Sequence, residues 1–174
     1  KGFVHVTVED QIWSYTLPRL AFSLSNQIKL FVEPGKGRSA INDALRLLAM
    51  PGDHSILFSI EGGQTLPEKR DEARARRGAI LLAMEAGCPI VPIGVHLPRR
   101  NILRKEFSYR YRGKTYIDVS WVPRFRTPYS VRIGKARRPL DELGRGADKE
   151  AYQAYADSIL ADVYRLADWA GEAE

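Results

Sequence analysis

The architecture of this chain turns on Ser55–Val95, SILFSIEGGQTLPEKRDEARARRGAILLAMEAGCPIVPIGV. It opens with an apolar run, Ser55–Ile60, as expected of a strand covered on both faces. The run stops at Glu61-Gly62-Gly63. A basic linker carrying Lys69, Arg70, Arg74, Arg76 and Arg77 leads into a helical stretch, Arg76–Gly87, for which Gly87 is a good C-terminal stop. A second apolar strand, Pro89–Leu97, closes the unit. A carboxylate and two glycines at a strand end admit two readings. One is a surface turn. The other is the lip of a binding site, because glycine reaches dihedrals closed to other residues and lets a ligand approach the main chain.

Upstream, FVHVTVED alternates, with Val4, Val6 and Val8 on one face, and reads as a strand. QIWSYTLPRLAFSL predicts helix on either side of Pro18. IKLFVEP is a short strand ended by Pro34, and GKGRS is a turn. Ser39 is a candidate N-cap for a helix in which Ile41, Ala44, Leu45, Leu48 and Ala49 recur at helical spacing. Downstream, FSYRYRGKTYIDVSWV predicts a hairpin turning at Arg112-Gly113-Lys114, and YSVRI a further strand. Ala147–Trp169 reads as an amphipathic helix with Tyr152, Tyr155, Ile159, Val163 and Leu166 on one face. Strands alternating with helices predict one α/β domain over residues 1–174, with a mixed, largely parallel sheet flanked by helices, a basic β-hairpin and a C-terminal amphipathic helix. Ligands of such sheets collect at the carboxyl ends of the strands, where Glu61 falls.

Composition narrows the function classes. The 174 residues carry 27 Lys+Arg against 21 Asp+Glu, a formal charge of +6 that favours anionic partners. The single cysteine, Cys88, excludes an internal disulfide and sits among small apolar residues, as an inert buried thiol would. His5, His54 and His96 lack metal-ligand spacing. Glu85, Pro89 and Pro92 interrupt the longest apolar stretch, so no transmembrane helix is expected. No signal-peptide pattern is present, and the expected location is cytoplasmic and membrane-associated.

The sequence of blocks adds a resemblance. Glu61-Gly62, then Gly78-Ala79 at the start of a helix, then Val91-Pro92-Ile93 in a strand are similar in order and spacing to blocks of the glycerolipid acyltransferase family, of the lysophosphatidic acid acyltransferase type. YSVRIGKARRPLDEL and the closing helix also look like that family's C-terminal part, so the resemblance runs from about Gly35 to Trp169. It implies a glycerolipid acyltransferase-like α/β fold and transfer of a fatty acyl group to a lipid hydroxyl. Three positions depart from the family pattern: Ile60 stands for its proline, Gly63 for its threonine and Gln64 for its arginine. That arginine is associated in the family with the acceptor's phosphate, and glutamine does not replace a charged bidentate donor. Arg38 lies near where the family keeps a second phosphate-binding arginine.

The family's His-x4-Asp signature has one spacing match, His5 and Asp10. In that role His5 takes the acceptor's proton and Asp10 fixes the imidazole. Strict alternation puts positions five apart on opposite faces, so the pair requires the strand to break between them. An alignment that respects the strand end puts Glu9 and Ser14 there instead, a poor base dyad. The resemblance thus implies His5 and Asp10 as catalytic residues and Glu61, Gly62, Gly63, Gln64 and Arg38 around the acceptor. The donor would be acyl-CoA or acyl carrier protein as co-substrate, with no resident cofactor and no metal. A catalytically degenerate fold kept for lipid binding or as a scaffold is the alternative. The hairpin, where Phe107, Tyr109 and Tyr111 interleave with Arg110 and Arg112, suits anionic lipid headgroups, although an ordinary hairpin with one buried aromatic face and one charged face accounts for most of the pattern. No nucleic-acid-binding fingerprint accompanies it, which disfavours a nucleic-acid partner.

Overall fold

A computed structural model describes residues 2–9, 28–30, 37–61, 67–96, 102–111, 114–123 and 129–171. In chain order the elements are β1 (Gly2–Glu9), β2 (Ile28–Leu30), α1 (Gly37–Leu48), β3 (Asp53–Leu57), a 3-10 turn at Pro67–Glu72, and α2 (Gly78–Ala86). There follow β4 (Ile93–His96), β5 (Ile102–Tyr111), β6 (Lys114–Pro123), β7 (Ser130–Ile133), α3 (Pro139–Leu143) and α4 (Lys149–Gly171).

β1 lies between β2 and β3 and is parallel to both, with Thr7 opposite Ile28 and Val6 opposite Leu57. β4 pairs antiparallel with β7, and β5 pairs antiparallel with β6 across the expected hairpin. Among the described strands the architecture is therefore mixed, and the expectation of a largely parallel sheet is corrected. The last apolar strand of the quoted stretch, β4, takes an antiparallel partner that arrives from beyond the hairpin.

Two apolar cores meet at α2. Its residues are apolar on nearly every side, as suits a helix covered all round. Leu82 joins Ala40, Ile41 and Ala44 of α1, with Ile56 and Phe58 packed against them. Ile80 joins Ala75 and the α4 residues Tyr155, Ala156, Ile159 and Leu160. Gly87 ends α2 in the left-handed conformation at φ 65°, its N–H donating to the Ala83 carbonyl, as its place in the sequence predicts.

Three local expectations change. Ser39 is inside α1, which starts at Gly37, so it is no N-cap. β3 alternates between exposed and half-buried residues, with Leu57 46% exposed, so it is not covered on both faces. In β4 only Gly94 is buried, while Ile93 and Val95 are exposed on the side away from α4. Gly94 faces α4 so closely that a Cβ there would overlap the main chain of Leu166 and Ala167. The helices expected around Pro18 lie outside the described residues.

Candidate functional site

The rim at which Glu61 stands is set by the parallel pairing of β1 and β3. Because the two strands run the same way, their carboxyl ends open on the same side. Beyond β3 the chain reaches Ile60, whose carbonyl accepts a hydrogen bond from the Arg76 N–H at 2.6 Å. The Ile60 side chain packs against the α4 core. Glu61, half-buried, follows directly.

The chain beyond the acidic turn is held by α4. Arg70 pairs with Asp168 and stacks over the Tyr164 ring at 4.7 Å. The Ala75 N–H donates to Asp157 Oδ1 at 3.2 Å, and Gln153 Nε2 donates to the Ala75 carbonyl at 3.1 Å. Buried Ala75 thus sits between Arg74 and Arg76, both exposed beside the turn. Of the linker cations, Arg70 is bound to α4 through Asp168 and Tyr164. The clamp through Gln153 and Asp157 had no signal in the sequence, since both are ordinary polar residues of an amphipathic helix.

Arg38 stands in the first turn of α1 and forms a two-pronged ion pair with Glu85 of α2. Its Nη1 meets Oε1 at 2.5 Å and its Nη2 meets Oε2 at 2.9 Å. The side chains are 60% and 32% exposed. Arg38 and Ile41 share one face of α1, and Leu82 and Glu85 share one face of α2. The ion pair therefore borders the apolar α1–α2 seam. Spacing alone does not reveal this partnership, because the two residues are 47 positions apart.

His5 lies within β1, opposite Ile56, and the strand continues unbroken to Glu9. At the rise of an extended strand, the Cα atoms of residues 5 and 9 are about 13 Å apart. The turn between positions 5 and 10 that a His5–Asp10 hydrogen bond requires is absent from this stretch of β1. Asp10, Gly62, Gly63 and Gln64 lie outside the described residues.

The other candidates have local roles. His54 Nε2 is 3.2 Å from the Pro51 carbonyl, within the turn that precedes β3. His96 is opposite Ser130 in the β4–β7 ladder. Burial pushes the half-buried Cys88 thiol up, which matches an inert thiol. No group of His, Cys, Asp or Glu that could hold a metal occurs among the described residues. None of the described helices is long and apolar enough to cross a membrane.

The most connected polar group among the described residues is elsewhere. Arg137, joined to Ile90 by a β-bridge, donates to Glu142 Oε2 at 2.8 Å, Ser158 Oγ at 3.0 Å and Asp162 Oδ2 at 3.2 Å. It also lies 4.4 Å from the Tyr155 ring centroid. Burial, reinforced by Glu142, pushes the Tyr155 hydroxyl up to about 12. Beside this network an open groove of about 1480 Å³ runs past Ile133, Arg137, Leu166 and Trp169. Neither Arg38 nor Glu61 lines it. Its polar groups mostly pair with one another, so the network ties α3 and α4 to the β4–β7 ladder.

No protein-family model matches the chain, and no curated protein matches it. Among solved structures, it is similar to the crystal structure of the 1-acyl-sn-glycerophosphate (LPA) acyltransferase PlsC from Thermotoga maritima, at 15% identity and a TM-score of 0.49. The likeness covers 94% of this chain and 56% of that one, so the chain spans little more than half the length of that enzyme.

Proposed function

We propose that this chain is an O-acyltransferase of the glycerolipid type, moving a fatty acyl group from acyl-CoA or acyl carrier protein to a hydroxyl of a lysophospholipid or related lipid acceptor. The observation that carries the reading is Glu61, which leads a Glu-Gly block beyond the carboxyl end of a strand parallel to the one bearing His5. The Gly78-Ala79 and Val91-Pro92-Ile93 blocks follow it in the family's order. Ligands of such sheets bind at that end.

In this reaction the acceptor oxygen attacks the thioester carbonyl carbon while His5 takes its proton, with Asp10 as the partner that the resemblance assigns to the ring. The tetrahedral intermediate collapses, the carbon–sulfur bond breaks, and the thiolate leaves and regains the proton. Direct attack fits the residues, since none of the described ones is set up as a nucleophile; Cys88, its thiol raised by burial, is the reverse of one. The Glu61 turn would shape the acceptor site, and Arg38, Arg74 and Arg76 would draw in an anion. Peripheral contact with an anionic membrane through the hairpin belongs to the same reading.

A second reading, a degenerate acyltransferase-like fold that binds lipid without turnover, is favoured by the unbroken β1 and by Gln64. Thiol release from acyl-CoA, followed across several lysolipids, separates the two. Acceptor-dependent release supports the enzyme; lipid binding without release supports the scaffold.

A further inference from the structure

Arg38 is the described cation that the resemblance assigns to the acceptor, and both of its outer nitrogens are engaged by Glu85. A phosphate monoester is recognised through the same planar fork, so headgroup and Glu85 compete for one set of donors. Glu85 is well placed to compete. It stands in the last turn of a helix buried on two sides and stopped at Gly87, so its carboxylate is held against α1 without ordering a mobile segment. A dianion that displaced it would leave that carboxylate beside the new phosphate, and like charges oppose each other there. At position 64, glutamine offers no replacement fork.

We propose that Glu85 is a built-in competitor for Arg38 that sets the acceptor preference, biasing the site toward lipid hydroxyls on uncharged headgroups and away from phosphomonoesters. The inference rests on the acyltransferase reading for its substrate class, but the competition itself concerns binding alone. Arg74 and Arg76 remain to attract anions generally, so Glu85 adjusts the preference without abolishing anion binding. The pair is partly exposed, and the effect is correspondingly modest, about fivefold in affinity.

The test uses the full chain and glycerol 3-phosphate as the probe, in calorimetric titrations at fixed ionic strength. Glu85→Gln is expected to bind the probe about fivefold more tightly than the unsubstituted chain. In an Arg38→Gln background the same change should lose most of that gain. Unchanged affinity in Glu85→Gln, or no binding by any variant, overturns the proposal. So does an equal gain with and without Arg38, which would mean only a long-range charge effect. Thermal melts of each variant exclude loss of folding as the cause. In the transfer assay, the ratio of lysophosphatidate to monoacylglycerol turnover should rise about fivefold in Glu85→Gln. A binding gain without turnover anywhere removes the acyltransferase reading and leaves the competition standing. Turnover with an unaltered ratio and unaltered binding removes the competition alone.

Discussion

Around α4 the side chains are large, buried and cross-linked: Tyr155, Ile159 and Leu160 fill the core, and Arg137 bonds to three residues of α3 and α4. Around α1 and the end of β3 the core side chains are smaller, chiefly Ala40, Ile41, Ala44 and Leu82, and the polar groups are exposed. The first region has the features of a fold's anchor. The second carries the Arg38–Glu85 pair, and Glu61 follows Ile60, which packs on the α4 core. The difference teaches that a buried, cross-linked anchor and a more exposed polar region meet along α2, which contributes Ile80 to one core and Leu82 to the other.

The contrast can be broken most severely at Ile159. Its replacement by alanine removes a fully buried side chain and should cost about 4 kcal/mol in urea unfolding. Gly94→Ala comes next, at about 3 kcal/mol, because the new methyl has to push α4 off the ladder. Were either variant as stable as the parent, α4 would not be the anchor.

Arg137→Ala should cost about 2 kcal/mol, since it removes the donor shared by Ser158, Asp162 and Glu142 at once, leaving Asp162 with Arg165 and Glu142 with the Arg138 N–H. The same cluster predicts a pH dependence. Hydrogen bonding from Arg137 holds the Glu142 carboxyl below its usual range. Its stabilisation is therefore complete above the unfolded carboxylate value, about 4.3. It is lost as pH falls through the lower folded value. Urea midpoints of the parent and Glu142→Gln should differ at neutral pH and converge in acid. Divergence in acid would show that the pairing is misassigned.

The smallest effect belongs to the α1–α2 region. Arg38→Gln and Glu85→Gln should each change stability by about 1 kcal/mol or less, as exposed pairs do. A loss comparable to that of Ile159→Ala would make the pair a structural clamp and collapse the contrast between the two regions.

How far the chain could be read in advance follows the same division. The apolar face of α4 shows in the spacing of Tyr155, Ile159 and Leu166, and Gly87 announces the end of α2, because local periodicity and capping are encoded nearby in sequence. The hairpin is legible for the same reason. β3 and β4 are less buried than their apolar runs suggest, since a run such as SILFSI says nothing about which neighbour covers it. The short α3 lies under PLDEL, too brief for a periodic signal. The place of Glu61 beyond the end of β3 is legible because it directly follows the apolar run. Glu85 and the Gln153–Asp157 clamp depend on contacts between distant segments, which no local pattern records.

The central claim is that the Glu61 rim serves acyl transfer, and product analysis tests it most directly. The chain is incubated with an isotope-labelled acyl-CoA and a lysolipid, and the ester formed is measured by mass spectrometry for the parent, His5→Ala and Glu61→Gln. The account predicts labelled acceptor ester from the parent, at least about a hundredfold less from His5→Ala, and a clear reduction from Glu61→Gln. Equal ester from all three chains, or none from the parent while it still binds the lysolipid, would contradict it.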